Sequence, residues 1–175
     1  MNSKLIELPI PTDDGVFVAR YSENGLVELD FPNLLRRRGD KAQTLSTRRS
    51  SRRLPGKIKT WHRLVAVALK KVLSGKNPKA LPPFDWTGAT EFQKAVWRAM
   101  LKLPSGQTKS YGEIAAVIGR PKALRAVGGA CGANPVPVLV PCHRILAANK
   151  KLGGFGGGLN WKRKLLAKEG IEYTA

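Results

Sequence analysis

Residues 110–131 read SYGEIAAVIGRPKALRAVGGAC, and the fold turns on how this stretch is parsed. Ser110, followed three residues later by Glu113, makes a capping-box pattern that opens a helix over Tyr111 to Ile118. Gly119-Arg120-Pro121 is a tight break, because proline cannot continue the helix before it. A further helix fits Lys122 to Cys131. Two short helices joined by a tight Gly-containing turn form a helix-turn-helix pattern, which also occurs as a helical hairpin in domains that never meet DNA. The second helix is slim. Ala123, Ala126, Gly128, Gly129 and Ala130 give it little bulk, and Arg125 projects from its middle. Such a helix suits close approach to a nucleic-acid groove, and it suits tight helix packing equally well.

Downstream, Asn134 to Ile145 (NPVPVLVPCHRI) reads as a stiff extended segment that delivers Cys142 to a fixed place. A thiol is a nucleophile only when ionised, and cationic or hydrogen-bonding partners favour that form. His143 adjoins Cys142, but neighbours on an extended segment point to opposite sides, so contact between them needs a water bridge or a local turn. Glu169 follows an amphipathic segment over Leu159 to Lys168, from where it can orient His143 on its far side. Cys131 ends an apolar helix, where a free cysteine is usually a small core hydrophobe. The run Gly153-Gly154-Phe155-Gly156-Gly157-Gly158 either shapes a pocket wall through its backbone or is a flexible connector.

Upstream, Thr90 caps a helix running through Phe92, Val96, Trp97, Met100 and Leu101, ended by Pro104 and Gly106. Leu64, Val65, Val67, Ala68, Val72 and Leu73 recur at near-helical spacing between Thr60 and Ser74. Residues 4–31 form a strand-rich unit, with β-type runs at Val16–Ala19 and Gly25–Leu29 around a turn at 22–25. From Arg36 to Lys59 there are ten basic residues and one acid, a composition that cannot bury enough surface to offset its ordering entropy. That insert reads as a mobile loop or as a DNA-contacting arm. The expected architecture is α+β: an N-terminal unit, 1–82, with a small antiparallel sheet and one helix, and a mostly helical C-terminal domain, 83–175, bearing the helix-turn-helix.

The bulk properties narrow the class. Thirty-one Lys and Arg against twelve Asp and Glu give +19 over 175 residues. The surplus is spread evenly, with 17 basic against 7 acidic residues in 1–82 and 14 against 5 in 83–175. Such a surface is drawn to polyanions. No apolar run approaches the roughly 20 residues that span a bilayer, and the N-terminus lacks signal-peptide order. Two cysteines are too few for a disulfide scaffold, so a cytoplasmic protein with reduced thiols is expected.

Pro141-Cys142-His143-Arg144-Ile145, with Asn134-Pro135-Val136-Pro137 before it, closely resembles the active-site motif of the O6-alkylguanine-DNA alkyltransferases, the methylated-DNA-protein-cysteine methyltransferases. The resemblance extends to Ser110–Ala115, Arg125–Ala130, Gly157–Leu159 and Leu165–Gly170, covering about 85–173 well and the N-terminal unit loosely. It implies direct reversal of DNA damage, with the alkyl group of O6-alkylguanine, and of O4-methylthymine, moved irreversibly to Cys142. His143, through a water, and Glu169 would activate the thiol, and Tyr111 would hydrogen-bond the flipped base. Arg125 would replace that base in the stack, with Ala126, Gly128, Asn134 and Arg144 at the DNA, and Asn134 would also tie the recognition helix to the active-site segment. Tyr111, Ile145, Phe155, Gly156 and Gly157 would form the substrate pocket. The implied partner is double-stranded DNA bound by a monomer, with no membrane, no cofactor and no metal; His62 is the one candidate zinc ligand in the N-terminal half.

This sequence departs from the family pattern in several places. Gly156 replaces a frequent Ser, Phe155 a frequent Tyr, Leu124 a smaller Ala, and Cys131 a larger apolar residue. The insert 36–59 has no counterpart in the family core. Three other readings compete: a lesion-binding relative, which would lack Cys142; a helix-turn-helix regulator, which would leave the thiol motif without a purpose; and a cysteine hydrolase, for which no oxyanion site can be assigned.

Overall fold

The computed structural model describes residues 5–32 and 54–174. The strand-rich N-terminal unit is a three-stranded antiparallel sheet in the order β1 (Ile6–Thr12), β2 (Gly15–Tyr21), β3 (Leu26–Asp30). β1 has no separate signature in the sequence because Pro9 and Pro11 interrupt it; it is an edge strand, where a missing N–H is tolerated. One face of β2 carries Phe17, Ala19 and Tyr21 into the core. On the sheet surface, Arg20 bridges Glu7, Glu28 and Asp30 across all three strands.

Helix α1 spans Gly56–Leu73, beginning four residues before the start read from the sequence. Residues 56–59 are therefore helical and do not belong to a loop. Ile58 is buried on the same stripe as Val65, Leu69 and Val72, but Lys57 and Lys59 beside it hide that spacing. Of the rest of the basic insert, 36–53 lies outside the described residues.

The C-terminal stretch is built on two capping boxes. Thr90 and Gln93 exchange hydrogen bonds at the start of α2 (Glu91–Leu101), and Ser110 and Glu113 do so at the start of α3 (Tyr111–Val117). After a turn with Gly119 in a left-handed conformation comes α4 (Leu124–Gly132), whose end is tied to α2 by Trp97 Nε1 donating to Ala130 O at 2.8 Å. Two short parallel strands, β4 (Lys109–Ser110) and β5 (Ile145–Leu146), set the start of α3 beside the chain that leaves Cys142. The last helix, α5, spans Leu159–Lys168 as the spacing predicts.

One continuous apolar core takes side chains from both halves, including Phe17, Leu29 and Phe31 with Trp97, Met100, Ile114 and Leu165. The halves are also stitched by backbone. Leu26 N donates to Pro83 O at 2.8 Å, and Asp85 N returns a bond to Leu26 O at 2.9 Å. Gly25 permits this approach, because any Cβ there would collide with the Pro83 carbonyl. Among the described residues, no helix is long and apolar enough to cross a membrane.

Candidate active site

The segment ending at Cys142 is not extended throughout. Cys142–Arg144 form a single 3-10 turn after Pro141, with Cys142 N bonded to Val140 O at 2.8 Å. The turn replaces the extended backbone expected there, but among the described residues no hydrogen bond joins the Cys142 thiol to the His143 ring. The turn is held by Asn134, whose Nδ2 donates to Val140 O at 2.8 Å and lies 3.1 Å from Cys142 Sγ, while its Oδ1 accepts from Val136 N at 3.1 Å. Asn134, two residues beyond α4, thus couples that helix to the active-site segment. Its amide faces inward, so grouping it with the DNA-contacting side chains is corrected.

Cys142 lines an open cavity of about 550 Å³ with Tyr111, Leu124, Arg125, Gly128, Cys131 and Phe155. Backbone at Gly132, Gly154 and Gly156 completes the walls. The thiol is 6% exposed. Burial pushes its pKa up to about 11, against the opposing pull of the Asn134 amide, the Lys162 cation and the N–H groups of its own turn. The resting group is therefore a thiol at neutral pH. Burial also raises Tyr111, assisted by the two cysteines facing it.

Behind the thiol lies a buried relay. His143 Nε2 is 3.0 Å from Glu169 Oε1, and both side chains are fully buried. Burial opposes ionisation of Glu169, but the bonds from His143 and Arg144 prevail and hold its pKa at about 2. An ionised carboxylate only accepts hydrogen bonds, so the imidazole proton sits on Nε2 and the Nδ1 lone pair is free to act as a base. Nδ1 is buried and, among the described residues, has no hydrogen-bond partner. Burial lowers the His143 pKa, in spite of Glu169, so the ring is neutral at rest.

The structure brings Tyr111, Arg125, Gly128, Phe155 and Gly156 to the same cavity as Cys142, with His143 and Glu169 directly behind it. Ala126 is exposed on α4 beside Arg125. Three expectations are corrected. Arg144 is 3% exposed and clamped on Glu169 and on Leu103 O, so it is not available to DNA. Ile145 does not line the cavity, and its carbonyl is taken by Lys162 Nζ at 2.7 Å. Gly157 turns away from the cavity and packs on Phe31.

Sequence reasoning missed Lys162. This lysine is fully buried and donates to the carbonyls of Ile145, Leu152 and Gly154, so it ties β5 and the start of the loop that forms one cavity wall to α5. Burial lowers its pKa to about 8, while the two cavity thiols act in the other direction. The available signal was its register: Lys162 shares a helical face with Leu165, Leu166 and Glu169.

Residues 91–171 match the family described as 6-O-methylguanine DNA methyltransferase, DNA binding domain. The chain is 58% identical over 80 residues to a methylated-DNA-protein-cysteine methyltransferase of Mycobacterium bovis, a match covering 46% of this chain. It spans 48% of that relative, about half its length. With the corresponding protein of Methanosarcina mazei it shares 47% identity over 114 residues, covering 63% of this chain and 70% of the relative. Its fold resembles the crystal structure of Mycobacterium tuberculosis O6-methylguanine methyltransferase with a TM-score of 0.69 and 32% identity, over 95% of this chain and 93% of the other. A crystal structure of Mycobacterium tuberculosis OGT in complex with DNA gives 0.61 and 34%, over 92% and 90%.

Proposed function

The chain belongs to the methylated-DNA-protein-cysteine methyltransferase family, and from that premise we propose that it repairs DNA by moving the alkyl group of O6-alkylguanine onto its own Cys142. The observation that carries this reading is the position of Cys142: its thiol borders an open cavity while the buried His143–Glu169 pair stands behind the same turn.

In this scheme the thiol proton passes through a bridging water to His143 Nδ1, and Glu169 stabilises the imidazolium that forms. Cys142 Sγ then attacks the alkyl carbon in line with the C–O6 bond. An S–C bond forms, the C–O6 electrons remain on guanine, the Tyr111 hydroxyl protonates the leaving base, and the proton taken up by His143 returns through water to the Tyr111 phenolate. Because the resting thiol is so weakly acidic, ionisation is coupled to substrate binding. The thioether has no leaving group that water displaces readily, so each chain reacts once. O4-methylthymine, which presents an alkylated oxygen of the same kind, is a second substrate.

The target atom is inaccessible in a stacked duplex, so the base must be flipped into the cavity. Helix α4 offers the means: Arg125 is exposed at the cavity mouth, and its small neighbours Ala126, Gly128 and Gly129 let the helix lie close against the minor groove. A net charge of +19 supplies sequence-independent attraction to double-stranded DNA. In this reading the protein acts on DNA in the cytoplasm as a monomer, and it needs no cofactor because the alkyl acceptor is its own Cys142.

The test is intact-protein mass after mixing with duplex DNA carrying one O6-methylguanine. A gain of one methyl group per chain, mapped to Cys142, is the expected result. Tight lesion binding without a mass gain would overturn it in favour of a lesion-sensing protein.

A further inference from the structure

None of the residues lining the Cys142 cavity comes from the N-terminal sheet, yet that sheet touches the cavity wall. Phe31, one residue past β3, is 1% exposed. Its ring is 4.9 Å from that of Trp161 on α5 and 5.6 Å from that of Phe17 on β2. On its other side it meets Phe155 nearly edge-on at 5.8 Å. Phe31 also covers the backbone at Gly157, where a Cβ would stand only 2.7 Å from Phe31 Cζ. The strand that carries Phe31 is fixed to the active-site segment, because Leu29 N donates to Pro135 O at 2.9 Å.

The wall that Phe31 supports is thin. Behind the Cys142 cavity lies a second cleft of about 310 Å³, lined by Leu29, Phe31, Asn134 and Pro135 among others. The two spaces share Gly132 and Gly156, neither of which has a side chain to brace the wall between them.

We propose that Phe31 is a positioning residue for alkyl transfer: wedged between Phe17 and Trp161, it holds the Phe155–Gly157 backbone at the separation from Cys142 at which an alkylated base fits. This rests on the function proposed above. A shift of the Phe155–Gly157 wall changes how well the base is held more than the chemistry of the thiol, because none of Cys142, His143 and Glu169 lies in that loop.

The experiment measures the half-saturating concentration and the saturating rate of Cys142 alkylation by free O6-benzylguanine, with the active fraction titrated separately. Phe31→Ala is expected to raise the half-saturating concentration about tenfold while the saturating rate stays within about twofold. Phe31→Leu, which keeps most of the volume, produces a smaller rise and carries the test if Phe31→Ala does not fold. Gly157→Ala produces the same defect by pushing the wall off the ring, and Phe31→Ala with Gly157→Ala recovers, because the methyl enters the vacated space. Unchanged half-saturation in folded variants, loss confined to the active fraction, or no recovery in the double variant would each overturn the assignment. A wild-type protein that leaves Cys142 unalkylated would instead sink the proposed function itself.

Discussion

Arg144 grips Glu169 in a fork, with Nε 2.9 Å from Oε2 and Nη2 2.8 Å from Oε1, in a site where the two side chains are 4% and 0% exposed. Arg144 Nη1 also donates to Leu103 O, so the carboxylate that orients His143 is anchored to the end of α2. Glu169→Gln leaves the guanidinium buried without its counter-charge, and breaking a buried pair in this way typically costs about 3–5 kcal/mol. It also removes the charge that stabilises a protonated His143. The expected result is a large drop in the urea midpoint together with a fall in transfer rate of about 10²-fold or more. A stable variant with a normal rate would contradict both roles.

The same pair sets an acid limit. The Glu169 pKa falls from about 4.5 to about 2 on folding. As pH drops through that window the unfolded chain takes up the proton first, so this stabilisation is complete above about pH 4.5 and lost towards pH 2. Its size is on the order of 3 kcal/mol. Unfolding free energies of wild type and Glu169→Gln should therefore converge as the pH is lowered from 5 to 2. Parallel curves would show that the carboxylate is not held ionised by folding.

The parts of this arrangement that were legible in the sequence are those with local signatures. Ser110 with Glu113, and Thr90 ahead of Phe92, mark helix starts because capping is settled within one turn of chain. Cys142, His143 and Glu169 were visible through motif and resemblance. Arg144 and Lys162 were misread or missed because residue type alone places Arg and Lys on the surface, whereas their acceptors lie 25 to 41 and 8 to 17 residues away in sequence. The turn at Cys142 was hidden for a similar reason. Flanking prolines and β-branched residues favour extended backbone, and the Asn134 amide overrides them from eight residues upstream.

Lys162→Met tests the buried cation. Methionine fills much of the space but donates nothing, leaving the buried carbonyls of Ile145 and Leu152 without this partner. At about 1–3 kcal/mol for each unsatisfied group, moderated by the removal of a buried charge, a loss of about 2–4 kcal/mol is expected in chemical denaturation. Below about pH 8, where Lys162 still carries its charge, loss of that charge also lowers the thiolate fraction, so iodoacetamide labelling of Cys142 in that range should slow. An unchanged rate would separate Lys162 from the thiol.

Arg125→Ala divides recognition of the duplex from chemistry at the cavity. Base flipping costs a few kcal/mol, and a side chain that fills the gap in the stack returns part of it. Repair of O6-methylguanine in a duplex should fall roughly 10- to 100-fold, while reaction with free O6-benzylguanine stays within about twofold. Equal losses on both substrates would mean that Arg125, which also borders the cavity, acts on the base itself.

Ser110→Ala reaches the cavity through secondary structure alone. The Ser110 hydroxyl accepts from Glu113 N at 3.2 Å, and Glu113 Oε2 accepts from Ser110 N at 2.7 Å. Removing the hydroxyl costs about 1 kcal/mol and frays α3 from its first residue, Tyr111. That residue faces Cys142 across the cavity, so fraying disturbs the proposed proton donor before it disturbs the thiol. Transfer to Cys142 should slow several-fold, about as far as a 1 kcal/mol effect reaches, while iodoacetamide labelling of the same cysteine is unchanged. Ser110→Asp, which restores the cap, should return both stability and transfer. If it restores stability alone, the hydroxyl itself takes part in the site.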